Sequence, residues 1–170
     1  MHQRGFEVGR ELASFHAASF GWALACCNRD GSAASDVLQQ SYWKVLEGKA
    51  HFDGQSSPRT WFFGVIRLTA MENRRSILRF FRRSEDDAKE PTDAPASSSR
   101  APDKSAIRKE AASSLAQALP KLAPRQREVL HLVFYEELTI AEAAVIMGVS
   151  LGSARQHYDR GKKKLHDLLT

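Results

Sequence analysis

The chain has 170 residues and a formal net charge of +5, with a sequence pI near 9.4 and an apolar fraction that is ordinary for a globular protein. The only cysteines, Cys26 and Cys27, are adjacent, which excludes a disulfide framework and a spaced cysteine metal site and fits a reducing compartment. The sequence shows no secretory signal, lipidation motif or transmembrane run, so we expect a cytoplasmic protein.

The first 83 residues are predicted to be helical throughout. A first long helix carries apolar residues on one face, at Leu12, Phe15, Trp22 and Cys26. A second helix begins at Ser35 or Asp36 and continues its apolar repeat to Leu46. A third runs from about Pro58, which suits a first helical turn, to Phe81. Because no alternation of period two supports a strand, this block is predicted to be all-α.

Residues 84–105 differ sharply in composition from the rest of the chain. They hold three prolines, a serine triplet, six acidic residues and three basic ones, with little apolar bulk. Such a segment cannot bury enough surface to offset the entropy of ordering it, so it is predicted to be a flexible linker. The sequence therefore predicts two small helical domains, residues 1–83 and 106–170, joined by an acidic linker at 84–105.

The C-terminal block begins with a predicted helix over about residues 106–119. Pro124 opens the next helix, which carries apolar residues on one side, at Val129, Leu130, Val133 and Phe134. Two further helices follow, so this block is predicted to contain four helices.

Residues 137–165 have the pattern of a helix-turn-helix. Thr139 and Glu142 have the spacing of a capping box, Gly148 supplies a left-handed turn, and Ser150 can cap the last helix. In that helix Ala154, Tyr158 and Leu165 face inward, which leaves a basic outer face. An ordinary amphipathic helical hairpin has the same spacing, but the basic face favours a recognition helix for the DNA major groove.

Positive charge is concentrated in two places. Residues 67–83 contain six arginines and one acidic residue, and residues 150–170 contain five lysines and arginines against two aspartates. Two separate basic surfaces indicate a polyanion that is contacted at two points.

Both halves of the chain resemble the sigma factors of bacterial RNA polymerase. The segment LPKLAPRQREVLHLVFYEELTIAEAAVIMGVSLGSARQHYDRGKKKL resembles their domain four, and the segments SDVLQQSYWKVLEG, HFDG and RTWFFGVIRLTAMENRR resemble their domain two. The resemblance covers roughly residues 12–81 and 109–168. From it the chain is identified as a member of the extracytoplasmic-function (group IV) type, which has only these two domains.

The resemblance implies a non-enzymatic function without metal or cofactor. The chain would be an alternative sigma factor that binds core RNA polymerase, recognises the −35 and −10 promoter elements and initiates transcription of a stress- or signal-responsive regulon. Its partners would be promoter DNA and the polymerase, mainly the clamp of the largest subunit and the flap of the second largest. An anti-sigma factor is a further partner that the resemblance allows. A serine/threonine kinase is a separate hypothesis, which rests on the thin acidic cluster described below.

The resemblance also assigns site residues. Those for the −35 element are Ser153, Arg155, Gln156, Asp159, Arg160, Lys162 and Lys163. Those for the −10 element are Asp53, Gln55, Trp61, Arg67, Leu68, Arg74 and Arg75. Those for core polymerase are Asp36, Gln39, Gln40 and Trp43. Chemically, arginine can bond guanine and glutamine can bond adenine at two points each, whereas the arginines of the third helix suit phosphates. Trp61 has two readings, as a stacking surface for a base or as a core residue.

Three features depart from the family pattern. Leu68 stands where an asparagine is usual and cannot hydrogen-bond a base. Asp159 would repel phosphate, although it could accept a hydrogen bond from cytosine. The acidic cluster of the second helix is thin, with Ala33, Ser35 and Gln40 around Asp36. The hypothesis that follows is that phosphorylation of Ser35, at a helix N-terminus, strengthens core binding; a plain N-cap role for Ser35 is the alternative.

Other classes of function fit the sequence less well. The six histidines have no catalytic partner at helpful spacing and no glycine-rich phosphate loop occurs, which argues against an enzyme. A conventional repressor or activator could use the same helix-turn-helix, but it would usually dimerise and carry a sensor domain. A protein-binding module without a DNA role would leave both basic faces unexplained.

Overall fold

A computed structural model describes residues 9–84 and 106–170, and within these ranges all regular secondary structure is helical. The all-α prediction is therefore confirmed. The chain divides into two compact units, Met1–Ala96 and Ser97–Thr170, called here the first and the second unit. The predicted linker, 84–105, lies outside the described residues except for Ser84, so its boundaries stay a prediction. Among the described helices, none combines the length and the apolar character that a membrane crossing requires.

Within residues 9–84 the first unit has four helices. These are α1 (residues 9–14), α2 (His16–Cys26), α3 (Gly31–Leu46) and α4 (Pro58–Ser84). The last three pack against one another around a core that includes Trp22, Val37, Leu38, Phe62, Phe63 and Ile66. The indole Nε1 of Trp22 donates a hydrogen bond to the backbone carbonyl of Phe63 at 3.0 Å, which fixes α2 on α4.

The predicted first long helix is interrupted. A turn at Phe15 separates α1 from α2, although Leu12, Trp22 and Cys26 are buried as the apolar repeat predicted. Cys26 fills the core, and Cys27 is half-buried, so that desolvation raises the pKa of its thiol.

The prediction that α3 begins at Ser35 or Asp36 is wrong. Asp30 is the N-cap, because its Oδ1 accepts hydrogen bonds from the backbone N–H groups of Ser32 and Ala33 at 3.0 and 3.1 Å. Asn28 and Arg29, both at positive φ, reverse the chain just before it. Ser35 is consequently the fifth residue of the helix and not its N-cap.

The third predicted helix, α4, is longer than expected and its end is not packed. Arg74 Nη2 donates a hydrogen bond to the carbonyl of Cys26 at 2.8 Å, at the C-terminal end of α2. Beyond that contact every residue from 75 to 83 is exposed, including Ile77, Leu78, Phe80 and Phe81.

The second unit contains the four predicted helices, with two short irregular turns between them. Its elements are α5 (Ala106–Ala118), a 3₁₀ turn (Leu119–Lys121), α6 (Pro124–Leu130), a π turn (His131–Tyr135), α7 (Ile140–Met147) and α8 (Leu151–Leu169). Helices α6, α7 and α8 pack on one another, and α5 packs on α8. The core includes Val129, Leu132, Ala143, Ile146, Met147 and Ala154.

The π turn changes which residues face the core. Val129 and Leu130 are buried as predicted, but Leu132 follows them into the core, whereas Phe134 is 61% exposed. A π turn holds more residues per turn than an α turn, so the side chains within it point in directions that an α-helical repeat does not predict. The prediction that Phe134 belongs to the apolar face is therefore wrong.

Candidate DNA and polymerase interfaces

The helix-turn-helix is formed by α7 and α8, and its predicted caps are confirmed. Thr139 Oγ1 accepts a hydrogen bond from the Glu142 N–H at 3.2 Å, and Glu142 Oε2 accepts one from the Thr139 N–H at 2.8 Å. Gly148 ends α7 with φ of 63°. Ser150 Oγ accepts from the Ser153 N–H at 3.1 Å and so caps α8.

A contact that the sequence did not reveal holds the turn between these helices. Arg125, in the first turn of α6, donates a hydrogen bond from Nη1 to the carbonyl of Met147 at 2.8 Å. A cation at the C-terminal end of α7 also interacts favourably with the helix dipole. Its partner lies 22 residues away in the chain, so no local motif indicates it.

The inner face of α8 makes a close helix crossing at Gly161. Ala154 and Gly161 are buried, while Tyr158 and Leu165 are half-buried. A Cβ at Gly161 would lie 3.2 Å from Gln126 Cβ and 3.2 Å from Leu130 Cδ1, both on α6. Sequence reasoning missed Gly161; the signal was its position seven residues after Ala154, which puts both small residues on one face.

The outer face of α8 carries the predicted −35 residues. Six of the seven are exposed: Arg155, Gln156, Asp159, Arg160, Lys162 and Lys163. Ser153 is half-buried, and its backbone and hydroxyl groups both bond to Ser150 Oγ at 3.1 Å. It therefore supports the helix cap. The others form a polar surface with several cationic groups and one carboxylate.

The predicted polymerase residues lie together on α3. Asp36, Gln39, Gln40 and Trp43 line an open groove of about 430 Å³. Trp43 is 59% exposed, which is unusual for such a large apolar ring and typical of a residue that is covered by a partner. Lys44, also in the groove, donates hydrogen bonds to Glu72 and to Thr69 Oγ1, and so connects α3 to α4.

The loop before α4 presents the first of the predicted −10 residues. Asp53 and Gln55 are exposed, and Asp53 Oδ1 accepts a hydrogen bond from the Gln55 N–H at 3.0 Å. The ring of Phe52 packs on Trp61 with 5.3 Å between centroids, and Trp61 also contacts Phe62. Trp61 is half-buried, so it anchors the loop and offers only part of its ring to a base.

Along α4 the predicted −10 residues have different environments. Leu68 and Arg75 are exposed, and Arg74 is exposed apart from its bond to the Cys26 carbonyl. Arg67 is only 6% exposed, because it lies on the same helix face as Phe63 and Ala70, four residues before it and three after. Its burial places Arg67 outside the exposed surface of α4.

Comparison with known proteins identifies the family of the chain. Residues 112–165, which span most of α5 to α8, match the family described as Sigma-70, region 4. The chain is 32% identical over 162 residues to the RNA polymerase sigma factor CarQ of Myxococcus xanthus, covering 94% of this chain and 87% of that one. It is 30% identical over 139 residues to the RNA polymerase sigma factor YlaC of Bacillus subtilis, covering 81% and 78%.

Solved structures share the fold. The sigma factor RpoE of Bartonella quintana, in complex with the anti-sigma factor NepR, matches with a TM-score of 0.72 at 21% identity, covering 96% of each chain. CnrH, in complex with the cytosolic domain of CnrY, matches with a TM-score of 0.62 at 23% identity, covering 95% of this chain and 86% of that one. The ECF RNA polymerase sigma factor SigX of Bacillus subtilis is 27% identical over 144 residues, covering 81% of this chain and 71% of that one, which supports the extracytoplasmic-function type. With a relative 32% identical along most of both chains and a matching region four, this chain belongs to the RNA polymerase sigma factors.

Proposed function

We propose that this sigma factor reads the −35 promoter element with the outer face of α8, and that its first unit binds core RNA polymerase and the −10 element. The observation that carries the proposal is the exposure of Arg155, Gln156 and their neighbours on a capped, cationic helix that is the second of a helix-turn-helix. The function is transcription initiation and not catalysis. Such a factor works where the chromosome and the polymerase are, so the proposal places the chain in the cytoplasm.

The chemistry of α8 divides into base contacts and phosphate contacts. Arg155 and Gln156 are near the start of the helix, where side chains of a recognition helix reach base edges. An arginine can donate two hydrogen bonds to guanine, and glutamine can exchange two with adenine, each worth about 1–3 kcal/mol of discrimination. Lys162 and Lys163, further along, suit phosphates, which fix the position of the helix without specifying sequence.

The proposed −10 surface combines the Phe52–Ser57 region with exposed residues of α4. Asp53 and Gln55 offer hydrogen bonds at the rim of the anchored loop, and Arg75 offers a cation for the backbone. Leu68 is exposed on the same helix and offers an apolar contact only. Arg67, being buried, is not part of this surface.

The α3 groove is the proposed docking site for the polymerase. Trp43 supplies a large exposed ring of the kind that dominates binding energy at interfaces. Among the four predicted polymerase residues only Asp36 is charged. Gln39 and Gln40 supply neutral hydrogen-bonding groups. The two solved structures described above are complexes, one of the sigma factor RpoE with the anti-sigma factor NepR and one of CnrH with the cytosolic domain of CnrY. We extend a regulatory protein partner of this kind to the present chain.

Alanine substitution of Arg155 and Gln156 tests the proposal. Each variant is expected to weaken binding of polymerase reconstituted with the full chain to a promoter with an intact −35 element by about tenfold or more, because a bidentate base contact is lost. On a promoter with a scrambled −35 element the same variants should lose little. The measurement is the dissociation constant on both DNAs.

Lys163→Ala is the matched control, since it removes a charge from the same helix without removing a proposed base contact. It should weaken binding to both promoters equally. If Arg155→Ala and Gln156→Ala behave like Lys163→Ala, these residues contact phosphate and the base-reading role is wrong.

A second prediction concerns Ser35, beside Asp36 and exposed on α3. Because α3 begins at Gly31, Ser35 lies beyond the first turn and the helix dipole contributes nothing to a phosphate there. Without the dipole, the kinase hypothesis depends only on the negative charge that a phosphate on Ser35 would add beside Asp36. Ser35→Glu is expected to tighten binding to core polymerase by about two- to fivefold, the range for an exposed ion pair.

Ser114→Glu, which adds the same charge at an exposed position of α5, serves as control. It should leave the dissociation constant for core polymerase unchanged. Equal affinity of wild type and Ser35→Glu would remove Ser35 as a regulatory position.

A further inference from the structure

Two aromatic rings and one cation lie in a row along one flank of α8. The ring of Phe134, from the π turn, stacks on the ring of Tyr158 with 5.8 Å between centroids and 20° between planes. The ammonium group of Lys162 lies 5.2 Å from the centroid of the Tyr158 ring. The three side chains are thus in sequential contact, from the π turn to the edge of the outer face of α8.

The π turn is what makes this arrangement available. Phe134 is 61% exposed and its neighbour Tyr135 is 78% exposed, so the aromatic residues here are turned out of the core. π turns occur frequently at functional sites. Phe134 is exposed and stacks on Tyr158 of the recognition helix, which indicates a role at the surface of that helix.

The row lies beside the proposed DNA contacts. Tyr158 follows Arg155 by three residues and precedes Lys162 by four, so the three share one flank of the helix. A lysine side chain ordinarily has about 2 kcal/mol of rotamer entropy, which binding must overcome. Contact with the Tyr158 ring already restricts the rotamers of Lys162 before DNA binds, so less entropy is lost on binding. Because an ammonium group has three N–H donors, it can contact the ring and still donate a hydrogen bond to a phosphate.

We propose that Phe134 and Tyr158 are positioning residues that hold the Lys162 ammonium group in place for a phosphate of the −35 DNA. The inference rests on the proposed function of α8 and adds to it two aromatic residues that do not themselves contact a base. Phe134 fixes the plane of the Tyr158 ring, and the Tyr158 ring fixes the direction of Lys162.

The test is a double-mutant cycle on polymerase reconstituted with the full chain, using a duplex that carries a functional −35 element. Lys162→Gln should reduce the slope of log affinity against log salt concentration by about 0.9, the value for one lost phosphate contact. Tyr158→Leu should weaken binding by about two- to fivefold, as expected for loss of an exposed cation–π contact. In the Lys162→Gln background Tyr158→Leu should have no further effect. Tyr158→Phe, which keeps the ring, should bind like wild type.

The matched comparison uses Lys163, which lies about 100° further round the helix. Tyr158→Leu and Lys163→Gln should have additive effects. Phe134→Leu should weaken binding to the −35 duplex less than Tyr158→Leu does, and it should leave the melting temperature of the protein unchanged.

Three outcomes overturn the proposal. One is a Tyr158→Leu loss that is as large in the Lys162→Gln background as in wild type, which would make the ring a general support of the helix. Another is a coupling energy between Tyr158→Leu and Lys163→Gln that equals the coupling energy between Tyr158→Leu and Lys162→Gln. The third is a Phe134→Leu variant that loses affinity for core polymerase while the affinity of the reconstituted enzyme for the −35 DNA is unchanged, which would make this face a protein-docking surface. Failure of the wild type to distinguish a −35 element at all would instead contradict the proposed function.

Discussion

Replacement of Trp22 by alanine is expected to lower the free energy of unfolding of the first unit by about 3–5 kcal/mol, the usual cost of truncating a large buried aromatic residue. The indole is 0% exposed, packs on Phe63 with 6.0 Å between ring centroids and donates its Nε1 hydrogen to the Phe63 carbonyl. Trp22→Phe keeps most of the apolar area and loses the indole hydrogen bond, but the Phe63 carbonyl lies inside α4 and still accepts the helical N–H of Arg67, so the loss should cost about 0.5–1.5 kcal/mol. Urea unfolding measures both values.

Trp43→Ala is the matched control within the same unit. Because Trp43 is exposed, its removal should change the unfolding free energy by less than about 0.5 kcal/mol while weakening binding to core polymerase. The tryptophans of the chain are Trp22, Trp43 and Trp61, all in the first unit, so their fluorescence follows unfolding of that unit alone. Equal destabilisation by Trp22→Ala and Trp43→Ala would mean that the core of the first unit is misassigned.

Substitution of Gly161 by valine is expected to destabilise the second unit by about 1–3 kcal/mol, the cost of overpacking a close contact. The first atom added, Cβ, would already lie 3.2 Å from atoms of Gln126 and Leu130, and valine adds two methyl groups beyond it. Because these contacts set the position of α8 on α6, affinity for the −35 element should fall together with stability. Thermal unfolding followed by circular dichroism and DNA binding measure the two effects.

Gly152→Ala is the control from the same helix. A Cβ there would meet only Ser150 Oγ, at 3.9 Å, so the substitution gains helix propensity at no steric cost. It should stabilise the second unit by about 0.5–1 kcal/mol. A Gly161→Val variant as stable as Gly152→Ala would show that α6 and α8 can separate freely.

The parts of the fold that depend on neighbours in sequence could be predicted. Thr139, Glu142, Gly148 and Ser150 were identified correctly because each cap is complete within four residues. The start of α3 was not, since Asp30 and Ser35 are both good N-caps and local rules do not choose between them. The choice is made by the reversal of the chain at residues 28 and 29 and by the burial of Ala34, which requires that α3 has already begun.

The site shows the same division. Asp36, Gln39, Gln40 and Trp43 have helical spacing, so one correctly predicted helix is enough to bring them together. The burial of Arg67 depends on which face of α4 the other helices cover, and the exposure of Phe134 depends on a π turn that has no sequence signature. Arg125 and Gly161 act through partners on other helices, which only the folded structure identifies.

The π turn at His131–Tyr135 also has a consequence for inheritance. A π turn closes its hydrogen bonds one residue further along the chain than an α turn, and here the helix ends directly after it, at Glu136. We therefore expect a change of one residue in the length of this stretch to redirect Phe134 and Tyr135. The aromatic flank of the recognition helix is thus expected to vary between related sequences whose lengths differ at this point.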